Sequence, residues 1–266
     1  MPIVQAGAYS KHLGDLALVF DEEGYVAEAT RDTRILDASI EPDPEIEARV
    51  AELAGPIEKM KATPIGEVAA PIDGSREKCR AGECEMGVAV TDAMLARVAD
   101  QGIAIAITNG GGLRASIDQG IATVGDVLSV LPFQNTLATM KIKGKDIVAS
   151  LETGVNDIEN GAGKFPQVAG LKYTIDMNVP PDGGRVKDVQ VKEGDNWVPI
   201  DPEKVYAVAT NDFMRKGGDG YALFASNAID PYDYGPGMEE VLAEYIANNA
   251  PYQPKVEGRI TVIAKN

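Results

Sequence analysis

Apolar positions follow two rhythms along this 266-residue chain: short runs or alternations, and longer stretches with apolar residues every three or four positions. The first rhythm predicts strands and the second helices. Residues 3–8 and "LALVF" (16–20) are apolar runs separated by Gly14, and "YVAEATRDTRIL" (25–36) alternates in part, so all three read as strands. The pattern changes at "EPDPEIEARVAELAGPIEKMKAT" (41–63). Asp43 suits an N-cap, Pro44 suits the first helical position, and acidic residues crowd the first turn. Ile46, Val50 and Leu53 then follow at helical spacing. A helix over 44–62 is predicted, kinked or broken at Gly55-Pro56 and placed to join two domains.

Further on, 66–72 and 103–108 read as strands, the second buried. A helix is predicted over 86–101 and ends at Gly102. Thr123 suits the N-cap of a short helix that stops near Pro132. Strands are expected over 136–142, 171–177, 185–192, 205–212 and 259–264, and helices over 145–155 and 237–249. Helices and strands mix without a strict βαβ rhythm. That favours an α+β fold, a two-layer domain with a mixed β-sheet and packed helices, over a doubly wound one.

Composition narrows the classes. At 44% hydrophobic and 25% charged the chain is an ordinary globular protein, long enough for one large domain or two small ones. No apolar run approaches the roughly 20 residues of a membrane span. "MPIVQAGAYS" has neither the basic nor the apolar region of a signal peptide. The net charge of −16 counts against nucleic acid and anionic membranes as partners. A small anion remains compatible wherever a few arginines reverse the potential locally. His12 is the only histidine and falls in what reads as an exposed loop, which leaves no serine triad, cysteine dyad or zinc set in view. Cys79 and Cys84 read either as two buried thiols or as a short-loop disulfide, the latter implying an oxidising compartment.

The remaining signals suggest binding. In "AIAITNGGGLRASI" (104–117) a buried strand runs into three glycines flanked by Asn109 and Arg114. Glycines at a strand end let backbone N–H groups approach a ligand, and an arginine pairs with carboxylate or phosphate. The same pattern also fits a plain turn with a surface arginine. No Gly-Lys-Ser/Thr follows, so it is not a P-loop. "NDFMRKGGDGY" (211–221) is a second glycine-rich strand end, with Phe213 before the glycines and Asp219 among them. "VLPFQNT" (130–136) places Phe133 just after a proline. Each phenylalanine reads as core or as a stacking platform for a flat ligand. Arg76 and Arg80 lie four apart in "DGSREKCRAGEC", either solvated or joined with Arg114 around an anion.

"CRAGECEMG", "TNGGGLR", "LPFQNT" and "NDFMRKGGDGY", in this order and spacing, closely resemble the C-terminal domain of the 5′-nucleotidase family over about residues 64–264. Residues 1–36 resemble the last strands of that family's N-terminal metallophosphoesterase domain, and 37–63 its linker helix. The resemblance implies a C-terminal domain over 64–266 that recognises a nucleoside or nucleotide. Phe133 and Phe213 would sandwich the base, and Asp219 would hold the ribose hydroxyls. Asn109 would bond the nucleoside, with Gly111 in the wall of the site. Arg80 and Arg114 would contact ribose and phosphate, joined by Arg76 as in bacterial relatives. Cys79 and Cys84 match a pair that is disulfide-bonded in some relatives.

The family's metal-ligand motifs do not occur in this sequence. The expectation is therefore a fragment without catalytic residues, cofactor or metal of its own, its two divalent ions held by the preceding metallophosphoesterase domain. The whole enzyme would be a periplasmic or extracellular nucleotide hydrolase, and this chain alone would be inactive. Relatives acting on 2′,3′-cyclic nucleotides or UDP-sugars, and a non-catalytic nucleoside-binding module, are the alternatives. A thiosulfate-processing relative fits less well, because a sulfonate offers paired phenylalanines nothing to stack against.

Overall fold

The computed structural model describes residues 3–265. The chain forms two compact units, Met1–Ile57 and Glu58–Asn266. In the first, β1 (His12–Phe20) and β2 (Val26–Ile35) make an antiparallel hairpin in which His12 faces Ile35 and a bulge falls between Val19 and Phe20. The Asp21 carboxylate accepts the Glu23 and Tyr25 N–H groups and shapes the turn. Gly14 lies inside β1 rather than between strands, and His12 opens that strand instead of sitting in a loop. Residues 3–8 form no strand. Gly7, Tyr9 and Ser10 take left-handed φ angles, which turn the chain before β1 rather than extend it.

Helix α1 (Pro44–Lys61) begins as its sequence requires: Asp43 Oδ1 accepts the N–H groups of Glu45 and Ile46. It runs unbroken through Gly55-Pro56, so the break that was one of the two expectations there is absent. None of its residues is buried, so the carbonyl that Pro56 cannot bond stays open to water.

The second unit holds β3 (Pro64–Val68), α2 (Arg76–Cys79), α3 (Glu85–Arg97), β4 (Ile105–Asn109), β5 (Gly120–Thr123), α4 (Val124–Val130) and β6 (Leu137–Lys143). There follow α5 (Gly144–Val155), β7 (Pro166–Ala169), β8 (Leu171–Asp176), β9 (Val186–Glu193), β10 (Asn196–Pro199) and β11 (Val205–Asn211). The chain closes with α6 (Asp212–Arg215), α7 (Ala222–Ser226), β12 (Ile229–Tyr232), α8 (Met238–Asn248) and β13 (Ile260–Ile263). A five-stranded sheet has the order β12-β6-β11-β4-β7, with β11 and β4 parallel and the other pairs antiparallel. A four-stranded sheet has the order β10-β9-β8-β13, its last pair parallel. The class is α+β with mixed sheets.

Alternation along the strands divides the core. Ile105, Ile107 and Val208 point to one side, where they meet Ile147, Leu151 and Val155 of α5 and the apolar face of β8 and β9. Ala106, Ala169 and Ala209 point to the other, where their small size lets α3 approach, backed by Val241, Leu242 and Ile246 of α8. Thr123 caps α4 in a reciprocal capping box with Asp126.

Some boundaries differ from the sequence reading. α3 stops at Arg97 and a 3-10 turn carries the chain to Gly102, which is left-handed. β3 is shorter than 66–72, and Ile72 forms only an isolated bridge to Ile117. Strands β5, β7, β10 and β12, four residues each, went unread.

Candidate functional site

The two parallel strands, β4 and β11, place the site. Val208 lies opposite Ile105 and Ala209 opposite Ala106, so the strands end side by side. Each runs into one of the glycine-rich segments. Ligands of open α/β sheets gather at such carboxyl ends. Here the ends border a cavity of about 460 Å³ lined by Arg80, Asn109, Gly111, Gly112, Arg114, Phe133, Asn135, Gly163, Phe213 and Asp219. Seven of the eight binding residues predicted from the sequence thus meet in one place. The eighth, Arg76, does not line it, although its charge acts on Arg80.

The glycines serve the protein's own backbone first. Gly110 N–H donates to the Phe165 carbonyl at 2.7 Å and Gly111 N–H to the Gly163 carbonyl at 2.6 Å. A Cβ on Gly110 would stand 2.2 Å from the Cys79 carbonyl oxygen, and one on Gly111 would stand 2.8 Å from Gly163 Cα. The segment therefore closes tightly on its neighbours, and these two N–H groups do not face the cavity as the sequence suggested.

Phe133 and Phe213 are large apolar side chains left exposed, at 56% and 43%. The Phe213 ring packs on Gly218, where a Cβ would stand 2.5–2.6 Å from three ring carbons. Phe133 has the Arg114 guanidinium 5.7 Å from its ring centroid, a cation–π arrangement. Gln134, between two lining residues, and Asp219 both take left-handed φ angles.

Arg80 is buried, and its Nη1 donates to the Gly161 carbonyl at 3.3 Å, while its Nε finds no partner among the described residues. Burial, then the neighbouring charges of Arg76 and Arg114, pull its guanidinium below the usual arginine range; Asp219 and Glu77 act the other way. A buried cation crowded by cations is a seat for an anion.

Cys79 and Cys84 form a disulfide, both sulfurs buried. Buried Gln167, on β7, fills the loop it closes. Its Nε2 donates to the carbonyls of Cys79 at 3.0 Å and Gly82 at 2.7 Å, and its Oε1 accepts from Cys84 N–H at 3.4 Å. This framework holds Arg80 in place. Opposite it, Asn211 Nδ2 donates to Asn109 Oδ1 at 3.0 Å, and Asn109 Nδ2 donates to Asp219 Oδ2 at 2.7 Å.

Sequence reasoning missed Asn135, Gly163, Gly218, Asn211 and Gln167. Asn135 stood in "VLPFQNT" two residues after Phe133, a usable signal. Asn211 opened "NDFMRKGGDGY" two residues before Phe213, a signal of the same kind, although its partner Asn109 lies 102 positions away. Gln167 gave none, because its partners lie more than 80 positions away. Among the described residues no three His, Cys, Asp or Glu side chains gather where they could hold a metal ion, so the residues present do not fit a dimetal centre.

The family described as 5′-nucleotidase, C-terminal domain, matches residues 64–226. A trifunctional nucleotide phosphoesterase protein of Bacillus subtilis is 40% identical over 264 residues, covering 97% of this chain and 18% of its own length. A snake venom 5′-nucleotidase of Macrovipera lebetinus is 31% identical over 278 residues, covering 99% of this chain and 68% of its own length. The crystal structure of a 5′-nucleotidase precursor from Thermus thermophilus superposes with a TM-score of 0.79 at 36% identity, over 99% of this chain and 52% of that one. This chain spans less than a fifth of the Bacillus relative and about half of the Thermus one.

Proposed function

Because this chain belongs to the 5′-nucleotidase C-terminal domain family, we propose that it is the substrate-recognition part of a nucleotide-hydrolysing enzyme. One observation carries the reading: a single cavity combines two exposed phenylalanines, a carboxylate held by an asparagine, and a buried arginine whose Nε has no partner among the described residues. These are the three chemistries of a nucleotide. Phe133 and Phe213 stack on the base, each contact contributing roughly 1–3 kcal/mol. Asp219 accepts from the ribose hydroxyls, with Asn109 and the Gly111 wall beside it. Arg80 and Arg114, with Arg76 behind them, hold ribose and phosphate through charge-assisted bonds.

In this reading residues 64–266 are the recognition domain, 37–63 the linker and 1–36 the end of a metallophosphoesterase domain. Two divalent ions held by that domain would activate the attacking water. The disulfide favours an oxidising compartment, periplasmic or extracellular, and among the described residues no helix is long and apolar enough to cross a membrane. A broader range that includes 2′,3′-cyclic nucleotides or UDP-sugars is the second reading, favoured by the trifunctional phosphoesterase name of the Bacillus relative.

Calorimetric titration of adenosine and AMP into this chain tests the proposal. AMP is expected to bind more tightly than adenosine. Phe213→Ala should weaken both by roughly fivefold to a hundredfold, the equivalent of one lost stacking contact. Equal affinities of wild type and variant would refute base recognition at Phe213.

A further inference from the structure

We propose that Asn211, which faces no ligand itself, is a positioning residue that sets the direction of every hydrogen bond leading to Asp219. The inference rests on the nucleoside reading above for its consequence, but its geometry stands apart from that reading.

Asn211 ends β11 and is the N-cap of α6. Its Oδ1 accepts the backbone N–H of Met214 at 2.8 Å. A backbone N–H can only donate, so this bond fixes which end of the Asn211 amide is oxygen. The Nδ2 must then face β4, where it donates to Thr108 Oγ1 at 3.2 Å and Asn109 Oδ1 at 3.0 Å. Asn109 is thereby fixed in turn, with its Nδ2 aimed at Asp219 Oδ2 at 2.7 Å. The chain of donors runs one way, from the Met214 amide to a carboxylate at the cavity wall. Both asparagines are buried, at 2% and 5% exposure, so water cannot easily restore a reversed bond. Beside the bond from Asn109, Asp219 feels the charge of Arg80. Its backbone is left-handed and it stands between Gly218 and Gly220.

The consequence is a preference. With Asn109 donating to Oδ2, the Asp219 carboxylate, an acceptor in any case, is anchored at the cavity wall where ligand hydroxyls can donate to it. A ligand lacking those hydroxyls leaves it unmatched.

Two variants keep the helix cap but change the relay. Asn211→Ser retains a capping oxygen, adds no charge and is too short to reach Asn109. Asn211→Asp also retains the cap, but its second oxygen faces Asn109 Oδ1; Asn109 must turn, and its oxygen then opposes Asp219. The wild-type preference for adenosine over 2′,3′-dideoxyadenosine is measured first. Both variants are expected to shrink it by about tenfold, the size of one charge-assisted hydrogen bond. Asn211→Asp should also lower the melting temperature. Asp219→Asn, which restores a donor opposite the turned Asn109, should recover most of that loss without recovering the preference. An Asn211→Ser variant with wild-type preference would overturn the proposal, as would melting-temperature changes for Asn211→Asp and Asp219→Asn that simply add. If wild type distinguishes neither ligand because it binds neither, the nucleoside reading fails, and the melting-temperature cycle still decides whether the relay exists.

Discussion

Arg80 shows how a single residue can be poor for the fold and useful for the site. Its guanidinium is buried, one nitrogen lacks a partner among the described residues, and Arg76 and Arg114 add repulsion. Removing such a charge relieves desolvation as well as losing the bond to the Gly161 carbonyl. Arg80→Met is therefore expected to leave the unliganded melting temperature unchanged or raised, within about 1 kcal/mol of stability. The same variant should lose tenfold or more in affinity for AMP, as expected for about 1.5–3 kcal/mol in a bond to a charged group. Thermal melts with and without AMP measure both effects. A variant that melts much lower and binds normally would show Arg80 to be structural. At this scale the sequence was informative about residue types: two phenylalanines, an aspartate and arginines in glycine-rich contexts. It did not show that the Gly110 and Gly111 N–H groups turn to the Phe165 and Gly163 carbonyls, since those partners lie more than 50 positions away.

Among the elements, β7 supports the arginine side of the cavity without lining it. It went unread in the sequence, yet it carries Gln167 into the disulfide loop. Gly87 on α3 makes room for that side chain, because a Cβ there would lie 2.2 Å from Gln167 Oε1. Gln167→Ala leaves two buried carbonyls and an N–H without their partner. A loss of about 2–3 kcal/mol is expected, or roughly 5–10 °C in melting temperature for a unit of this size. AMP affinity should fall as well, since Arg80 sits in the same loop. A melting temperature within a degree of wild type would show the loop to be held by the disulfide alone. The long periodic elements were legible, α1 and α4 down to their Asp43 and Thr123 caps. Of the kink or break expected at Gly55-Pro56, the break did not occur, and the exposed helix leaves the unbonded carbonyl to water.

For the molecule as a whole, acidity and ion pairing give a pH dependence of definite sign. A bond from Lys255, with help from Arg259, holds the Glu257 carboxyl down to about 2, and a bond from Lys78, with help from Ser75, does the same for Asp73. Both lie below the ordinary carboxylate range near about 4. A lowered folded-state value gives stability that is complete above the unfolded value and is lost as the pH falls through the folded one. Burial raises Asp92 instead, so its contribution has the opposite sign and offsets part of the loss. Melting temperatures should fall between about pH 4 and pH 2, and less steeply in Glu257→Gln. An unchanged slope in that variant would remove Glu257 from the account.

The sequence by itself determined what is local or ordered along the chain: the α+β class, the helix caps, the acidic surface, and four motifs in an order that resembles one family. Periodicity, capping and composition are properties of neighbouring residues, so they can be read in one dimension. Only the tertiary structure decided that β4 and β11 run parallel and end together, that Asn211 meets Asn109, that Gln167 enters the Cys79–Cys84 loop, and that Arg76 stands outside the cavity the other seven residues share. Each of these depends on segments far apart in sequence and brought together by a common core, and no local pattern encodes which of them will meet.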